Sequence, residues 1–219
     1  MKPAWSYRDL FFAAALYFLL GQWLLAATHH WPGAPLTGQW LLTAVWLALL
    51  ALRWSARGYP PLWQSTEWRW RPAWLWRSVA AGLGLMLAVE GVSRWLPDPP
   101  LDLPVRKLLD SPSTASLAAA SIVLLGPLAE EFFFRGLLQP LVAASAGVAT
   151  GIAAGATLFA LLHAPQLGYS WPNVALIAAA GAVFGWLRHA SHSTLMAAVA
   201  HATYNSVLLL IYFQQRPHG

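Results

Sequence analysis

The sequence predicts an all-α fold, a polytopic bundle of transmembrane helices with about seven spans (six to eight). Three observations predict it. Apolar runs of roughly 18–22 residues recur along the whole chain, the length that crosses a hydrocarbon core of about 30 Å. Hydrophobic residues make up 58% and charged residues only 10%, with a mean hydropathy of +0.51. Nowhere does the chain alternate apolar and polar residues in the roughly ten-residue segments of a membrane β-barrel.

Composition narrows the function classes. A net charge of +5 would suggest nucleic acid in a soluble protein. Here basic cytoplasmic loops beside anionic headgroups account for it, and the expected partner is the bilayer, not nucleic acid. The absence of cysteine excludes disulfides, a thiolate nucleophile and cysteine metal sites. The 14 tryptophans suit anchors at the two membrane interfaces. A chain of 219 residues has room for the spans and little else, so 1–219 reads as one membrane-embedded domain.

Taken in order, a short basic start (Lys2, Arg8) precedes Leu10–Thr28, the first predicted span. Its length, and the span directly after it, favour an uncleaved anchor over a signal peptide. His29 and His30, beside Trp31-Pro32-Gly33, read as an interfacial loop. Gly38–Arg53 is the second span. Trp54–Arg77 then alternates arginine with tryptophan and is broken by Pro60, Pro61 and Pro72, the pattern of a segment lying in the headgroup layer. Ser78–Leu96, the third span, carries Glu90 and Arg94 at i,i+4, an ion pair near the interface. A proline-rich loop, Pro97–Pro112, leads to the fourth span, which starts near Ser113. Pro140 interrupts the helix towards its C-terminal end, and Ala143–Gly147 reads as a turn.

Val148–His163 is the fifth span, where Gly151 and Gly155 permit close helix approach. Pro172–Arg188 and Ser193–Phe213 are the sixth and seventh. With the N-terminus inside, Lys2, Arg8, Arg53, Arg57, Arg69, Arg71, Arg77 and Arg188 fall on the cytoplasmic side and Arg94, Arg106, Lys107 and Arg216 outside, the bias expected of a multi-pass protein of a bacterial inner membrane.

The fourth span contains the stretch that demands explanation, Gly126–Gln139, reading G-P-L-A-E-E-F-F-F-R-G-L-L-Q. A carboxylate at the bilayer centre costs at least ~2.5–3.5 kcal/mol, so two in a row need protein partners or a wet cavity. Adjacent helical residues point about 100° apart, so Glu130 and Glu131 cannot face one spot. Glu131 and Arg135, at i,i+4 with the acid first, form the favourable pair. Glu130 is left to work.

The other ionisable groups inside spans are His163 in the fifth and His201, with Asn205, in the seventh. Glu or His can deprotonate water, while His and Asn can hydrogen-bond a developing oxyanion. Glu130, His163 and His201 could also form a two-histidine, one-carboxylate zinc set, although H-E-x-x-H is absent. No G-x-S-x-G marks a nucleophilic serine.

E130-E-F-F-F-R135, F159-A-L-L-H163 and H201-A-T-Y-N205 resemble the ordered motifs of the CPBP intramembrane proteases, the family of CAAX prenyl endopeptidases and bacteriocin-processing or immunity proteins. The stretch W-L-R188 is similar to that family's arginine-bearing segment. The resemblance covers about residues 113–213. It implies that Glu130 and His163 activate water, that His201 and Asn205 stabilise the oxyanion, and that Glu131, Arg135 and Phe159 support them. It also implies a protein substrate cleaved near the membrane or at an anchored or lipidated C-terminal tail. A metal-free, glutamate-activated water is the expected mechanism, with zinc on Glu130, His163 and His201 as the alternative. Bacteriocin maturation or self-immunity is a second use of the same site. A proton-coupled transporter or scaffold is the rival class, disfavoured because all the chemistry lies in one half of the chain.

Overall fold

The structure is a computed structural model that describes residues 3–28, 34–96 and 104–215. The chain forms α1 (Tyr7–Thr28), α2 (Ala34–Ala56), a short α3 (Leu62–Ser65), α4 (Pro72–Ser93) and α5 (Pro104–Asp110). The long α6 (Ala115–Ala146) comes next, then α7 (Val148–His163), α8 (Trp171–Ser191) and α9 (Thr194–Gln214). Among the described residues there is no strand, and five helices (α2, α4, α6, α8 and α9) are long and apolar enough to cross a bilayer. Helix α1 has 22 residues, about 33 Å at 1.5 Å per residue. Helix α7 is shorter, with 16. Every predicted span falls on a helix. Lys2, His29, His30, Trp31, Pro32, Gly33, the 97–103 part of the proline-rich loop and Arg216 lie outside the described residues.

Helix α6 stands between two apolar clusters. Towards α1 and α2, Phe132, Phe134 and Leu137 pack with Leu10, Ala13, Trp46, Leu50 and Trp54. Trp46 meets Phe132 edge-on at 5.5 Å. Its indole N–H donates to the Ala13 carbonyl at 2.9 Å, and that of Trp5 to Leu137 at 3.1 Å. Trp46 and Trp5 therefore serve the core, because a neighbouring helix satisfies their one polar atom. Trp23, Trp76 and Trp95, by contrast, are exposed, as interfacial anchors are. On the other side, Met86, Phe184, Leu187, Ala197, Ala200 and Tyr204 join α4, α8 and α9. The predicted close approach at Gly151 is present: a Cβ there would stand 2.7 Å from the Gln139 carbonyl of α6.

Three expectations are corrected. Pro72 does not break a helix but begins α4, at the first turn where its missing N–H is harmless. Pro140 does not interrupt α6, which runs on to Ala146. The reason is local geometry. Ser121–Leu125 and Phe132–Leu138 are π-turns, in which Gly126 N–H bonds Ser121 O and Gln139 N–H bonds Phe134 O, five residues back. A proline comes directly after each of these donors. In that register Pro127 would have addressed Ile122 O and Pro140 would have addressed Arg135 O. Side chains supply both instead, Asn205 Nδ2–H to Ile122 O at 2.8 Å and Arg188 Nε–H to Arg135 O at 3.1 Å.

The third correction concerns the Arg/Trp segment. Trp63, Trp70 and Trp76 are exposed, as a headgroup-layer segment requires. Its middle, however, sinks into the bundle. Thr66 is fully buried and sits against Gly136, where a Cβ would be 3.0 Å from Thr66 Cβ. Thr194 N–H donates to Glu67 O at 3.0 Å. The hydroxyls of Thr194 and Ser193 donate to Thr66 O and Arg69 O. Residues 66–69 thus roof the α8–α9 turn, with Thr66 fully buried and Arg69 left exposed. Glu90, partly buried, and Arg94, exposed, form the expected i,i+4 pair at 3.5 Å.

Candidate active site

The site is assembled from α6, α7, α8 and α9. Glu131 and Arg135 are both fully buried, and Arg135 Nη1 donates to Glu131 Oε1 at 2.9 Å, the pair that their spacing predicts. Arg135 Nη2 reaches across to Gly181 O on α8 at 2.8 Å. One turn later Gln139 Nε2 donates to Gly185 O at 2.9 Å. Two glycines make this approach possible, since a Cβ at Gly181 would stand 3.2 Å from Arg135 Nη2 and one at Gly185 2.9 Å from Gln139 Oε1. The guanidinium carbon lies 4.8 Å over the Phe159 ring and 5.6 Å from that of Phe184, so aromatic faces cover what water would otherwise solvate.

His201 stands between the two glutamates. Its Nδ1–H donates to Glu131 Oε1 at 2.9 Å. A carboxylate only accepts, which fixes the proton on Nδ1 and leaves Nε2 with the lone pair in the neutral ring. Nε2 faces Glu130 Oε2 at 3.8 Å. The ring is clamped, stacked on Phe184 at 4.6 Å and edge-on to Phe159 at 5.6 Å. His201 sits only two turns into α9, yet it reaches the depth of Glu131 because the α8–α9 turn itself is buried, Ser193 and Thr194 both being inaccessible.

Glu130 points away from the buried pair, as helix geometry requires, and keeps 34% of its side chain exposed. Its Oε1 lies over Gly126, 3.9 Å from where a Cβ would be. His163 is half-buried at the end of α7. Its Nδ1–H donates to Phe159 O at 2.8 Å, and its ring lies 4.5 Å from Phe159, with Nε2 left free to accept. Asn205, one turn beyond His201, is committed through one amide hydrogen to Ile122 O and retains the second.

The structure therefore brings together Glu130, Glu131, Arg135, His201 and Phe159. His163 joins them through the ring of Phe159, and Asn205 is turned towards Ile122. Of the two histidines, His201 is the one within 4.0 Å of Glu130. Among the described residues no three His, Asp or Glu side chains form a set able to hold a metal ion, so the alternative zinc ligands Glu130, His163 and His201 are not preassembled. Phe184, Gln139, Glu67 and the buried state of Arg188 escaped the sequence reading. The signal for two of them, Phe184 and Arg188, was the face G181-x-x-F-G-x-x-R188 of the sixth span, where small, aromatic and basic residues recur at helical spacing.

Such a site, an acid pair, an arginine and a histidine enclosed by apolar helices, belongs to a multi-pass membrane protein. Residues 112–207 match the family model described as Type II CAAX prenyl endopeptidase Rce1-like. That match covers the three motifs and is consistent with a CPBP family intramembrane protease. No curated protein and no solved structure matches the chain.

Proposed function

We propose that the protein is an intramembrane endopeptidase that hydrolyses a peptide bond of a membrane-associated, C-terminally anchored or lipidated protein with a water activated by Glu130. The observation that carries this reading is the 3.8 Å separation of Glu130 Oε2 and His201 Nε2, with Glu130 accessible and His201 held by Glu131. Two acceptors at that spacing can each take one hydrogen of a single water, leaving its lone pairs directed outwards. Glu130 takes a proton as the water oxygen adds to the scissile carbonyl. The resulting carboxylic acid returns that proton to the amine as the C–N bond breaks, so atoms and charge balance.

This geometry favours His201 over His163 as the partner of Glu130, an exchange of the two histidines' expected roles. His163 Nε2 and the second amide hydrogen of Asn205 are then the groups left to meet the substrate carbonyl. Asn205 serves there as a neutral donor, and His163 Nε2 donates only when it carries the proton.

The test is cleavage of membrane-anchored peptides by purified protein in proteoliposomes, read by mass spectrometry. New carboxyl and amino termini near the membrane boundary are the expected result. Wild-type protein that cleaves no such peptide, while driving proton flux across the same liposomes, would overturn the assignment. Dialysis against strong chelators should leave hydrolysis intact. Stoichiometric zinc, with activity lost on its removal and regained on its return, would replace the metal-free mechanism with metal-assisted attack.

The basic residues give the proposed orientation. Arg53 and Arg57 share Asp9 with the start of α1, at 3.0 and 3.5 Å, so they lie at the N-terminal end of the bundle. A reporter fused after Arg57 should read cytoplasmic and one within Asp98–Asp110 should read external. The reverse pattern would invert the topology.

A further inference from the structure

Helix α6 carries the same device twice. A π-turn ends, a proline comes next, and the carbonyl five residues before that proline loses its main-chain donor. At Ile122 the replacement comes from Asn205. At Arg135 it comes from Arg188 Nε–H. The second case is the more consequential, because Arg135 also holds Glu131 through its side chain, and Glu131 holds His201. Arg188 is itself buried, and its Nη2 pairs with Glu67 Oε2 at 3.1 Å. Glu67 adopts a left-handed backbone, φ 52°, an uncommon conformation for a residue of its type. It belongs to the segment that roofs the α8–α9 turn.

From this we infer that Arg188 is a positioning residue for the glutamate turn. It replaces the N–H that Pro140 lacks and, through Glu67, ties the register of α6 to the docking of the Arg/Trp segment. The fork of a guanidinium suits the task, since Nε donates to the carbonyl while Nη2 forms an ion pair with Glu67. An arginine serving only as a cytoplasmic loop charge would have no reason to spend Nε on a backbone carbonyl of another helix. The consequence for hydrolysis rests on the function proposed above. The positioning itself does not.

The experiment is a double-mutant cycle on the full chain between Arg188→Met and Pro140→Ala. The alanine restores an N–H at the position that the orphaned carbonyl requires. Two readouts are independent of activity: melting temperature in detergent, and the maleimide labelling rate of Ala129→Cys, a unique thiol since the chain has no cysteine. Arg188→Met should lower the melting temperature and change the labelling rate several-fold. In the Pro140→Ala background both changes should shrink to less than half. If cleavage is measurable, kcat should fall by up to roughly 10²-fold in Arg188→Met with KM little altered, the cost of misplacing a reacting group by about 1 Å. It should recover in the double variant.

Strict additivity of the two substitutions in melting temperature and labelling would overturn the inference, whatever hydrolysis does. Absence of cleavage in every variant, with coupling intact, would count against the proposed function and leave the positioning standing. Should Arg188→Met fail to fold while the double variant folds, that rescue supports the inference. Should neither fold, Asn205→Ala with and without Pro127→Ala poses the same question at Ile122, and additivity of melting temperatures there would overturn it.

Discussion

Glu130→Gln should abolish peptide hydrolysis and leave the melting temperature in detergent close to that of wild type, whereas Glu131→Gln should remove activity and stability together. The difference arises from where each carboxylate lies. Glu130 is partly exposed and its ion-pair neighbour, His201 Nε2, is 3.8 Å away, beyond hydrogen-bond length, so an amide there costs the fold little. It can no longer accept a proton from water. Glu131 Oε1 receives Arg135 Nη1 and His201 Nδ1, both at 2.9 Å, and no part of it meets solvent. Replacing it with a neutral amide strands the Arg135 charge among Phe134, Phe159 and Phe184. Breaking one side of a buried pair typically costs about 3–5 kcal/mol. Thermal melts and single-turnover cleavage on both variants check this. Equal stability of the two would undo the division of roles.

The second large effect is on α9. His201→Ala removes the imidazole that faces Glu130 and leaves Glu131 with one fewer donor. It should lower kcat by at least roughly 10²–10³, the range for losing one preorganised polar contact to the reacting atoms. Asn205→Ala should lower kcat by a similar factor with KM little changed. It also orphans the Ile122 carbonyl, which costs about 1–3 kcal/mol. Pro127→Ala separates the two contributions, because it returns a main-chain donor to Ile122 without restoring the side-chain amide. The expected result for Pro127→Ala with Asn205→Ala is a recovered melting temperature and an unrecovered kcat. Recovery of both would reduce Asn205 to a helix contact. The His201 and Asn205 substitutions together should lose less than the product of their separate factors, since the groups serve one reaction centre.

The contact between Asn205 and Ile122 illustrates how far sequence reading reaches. The i,i+4 relation of His201 and Asn205 is local and legible, and so is the resemblance of the three motifs. What Asn205 bonds depends on a carbonyl freed 83 residues away by a π-turn and a proline. Nothing in the periodicity of α9 announces it. Arg188 is a similar case. Counted along the chain it is one more positive charge beside a loop, but packed it is a buried cation addressing Glu67 and α6.

The sequence by itself determined what a single helix can encode. Hydropathy placed the spans, and Val148–His163 coincides with α7 to the residue. The 100° step between neighbours separated Glu130 from Glu131 and paired Glu131 with Arg135. Only the tertiary structure decided which histidine faces Glu130, that residues 66–69 roof the α8–α9 turn, and that Pro140 is absorbed within α6. Those outcomes depend on the depth and rotation of one helix against another. Many weak contacts spread over distant parts of the chain set them jointly, among them the glycine approaches of α8 to α6 and the buried tryptophans beside Phe132. No local run of residues carries that sum.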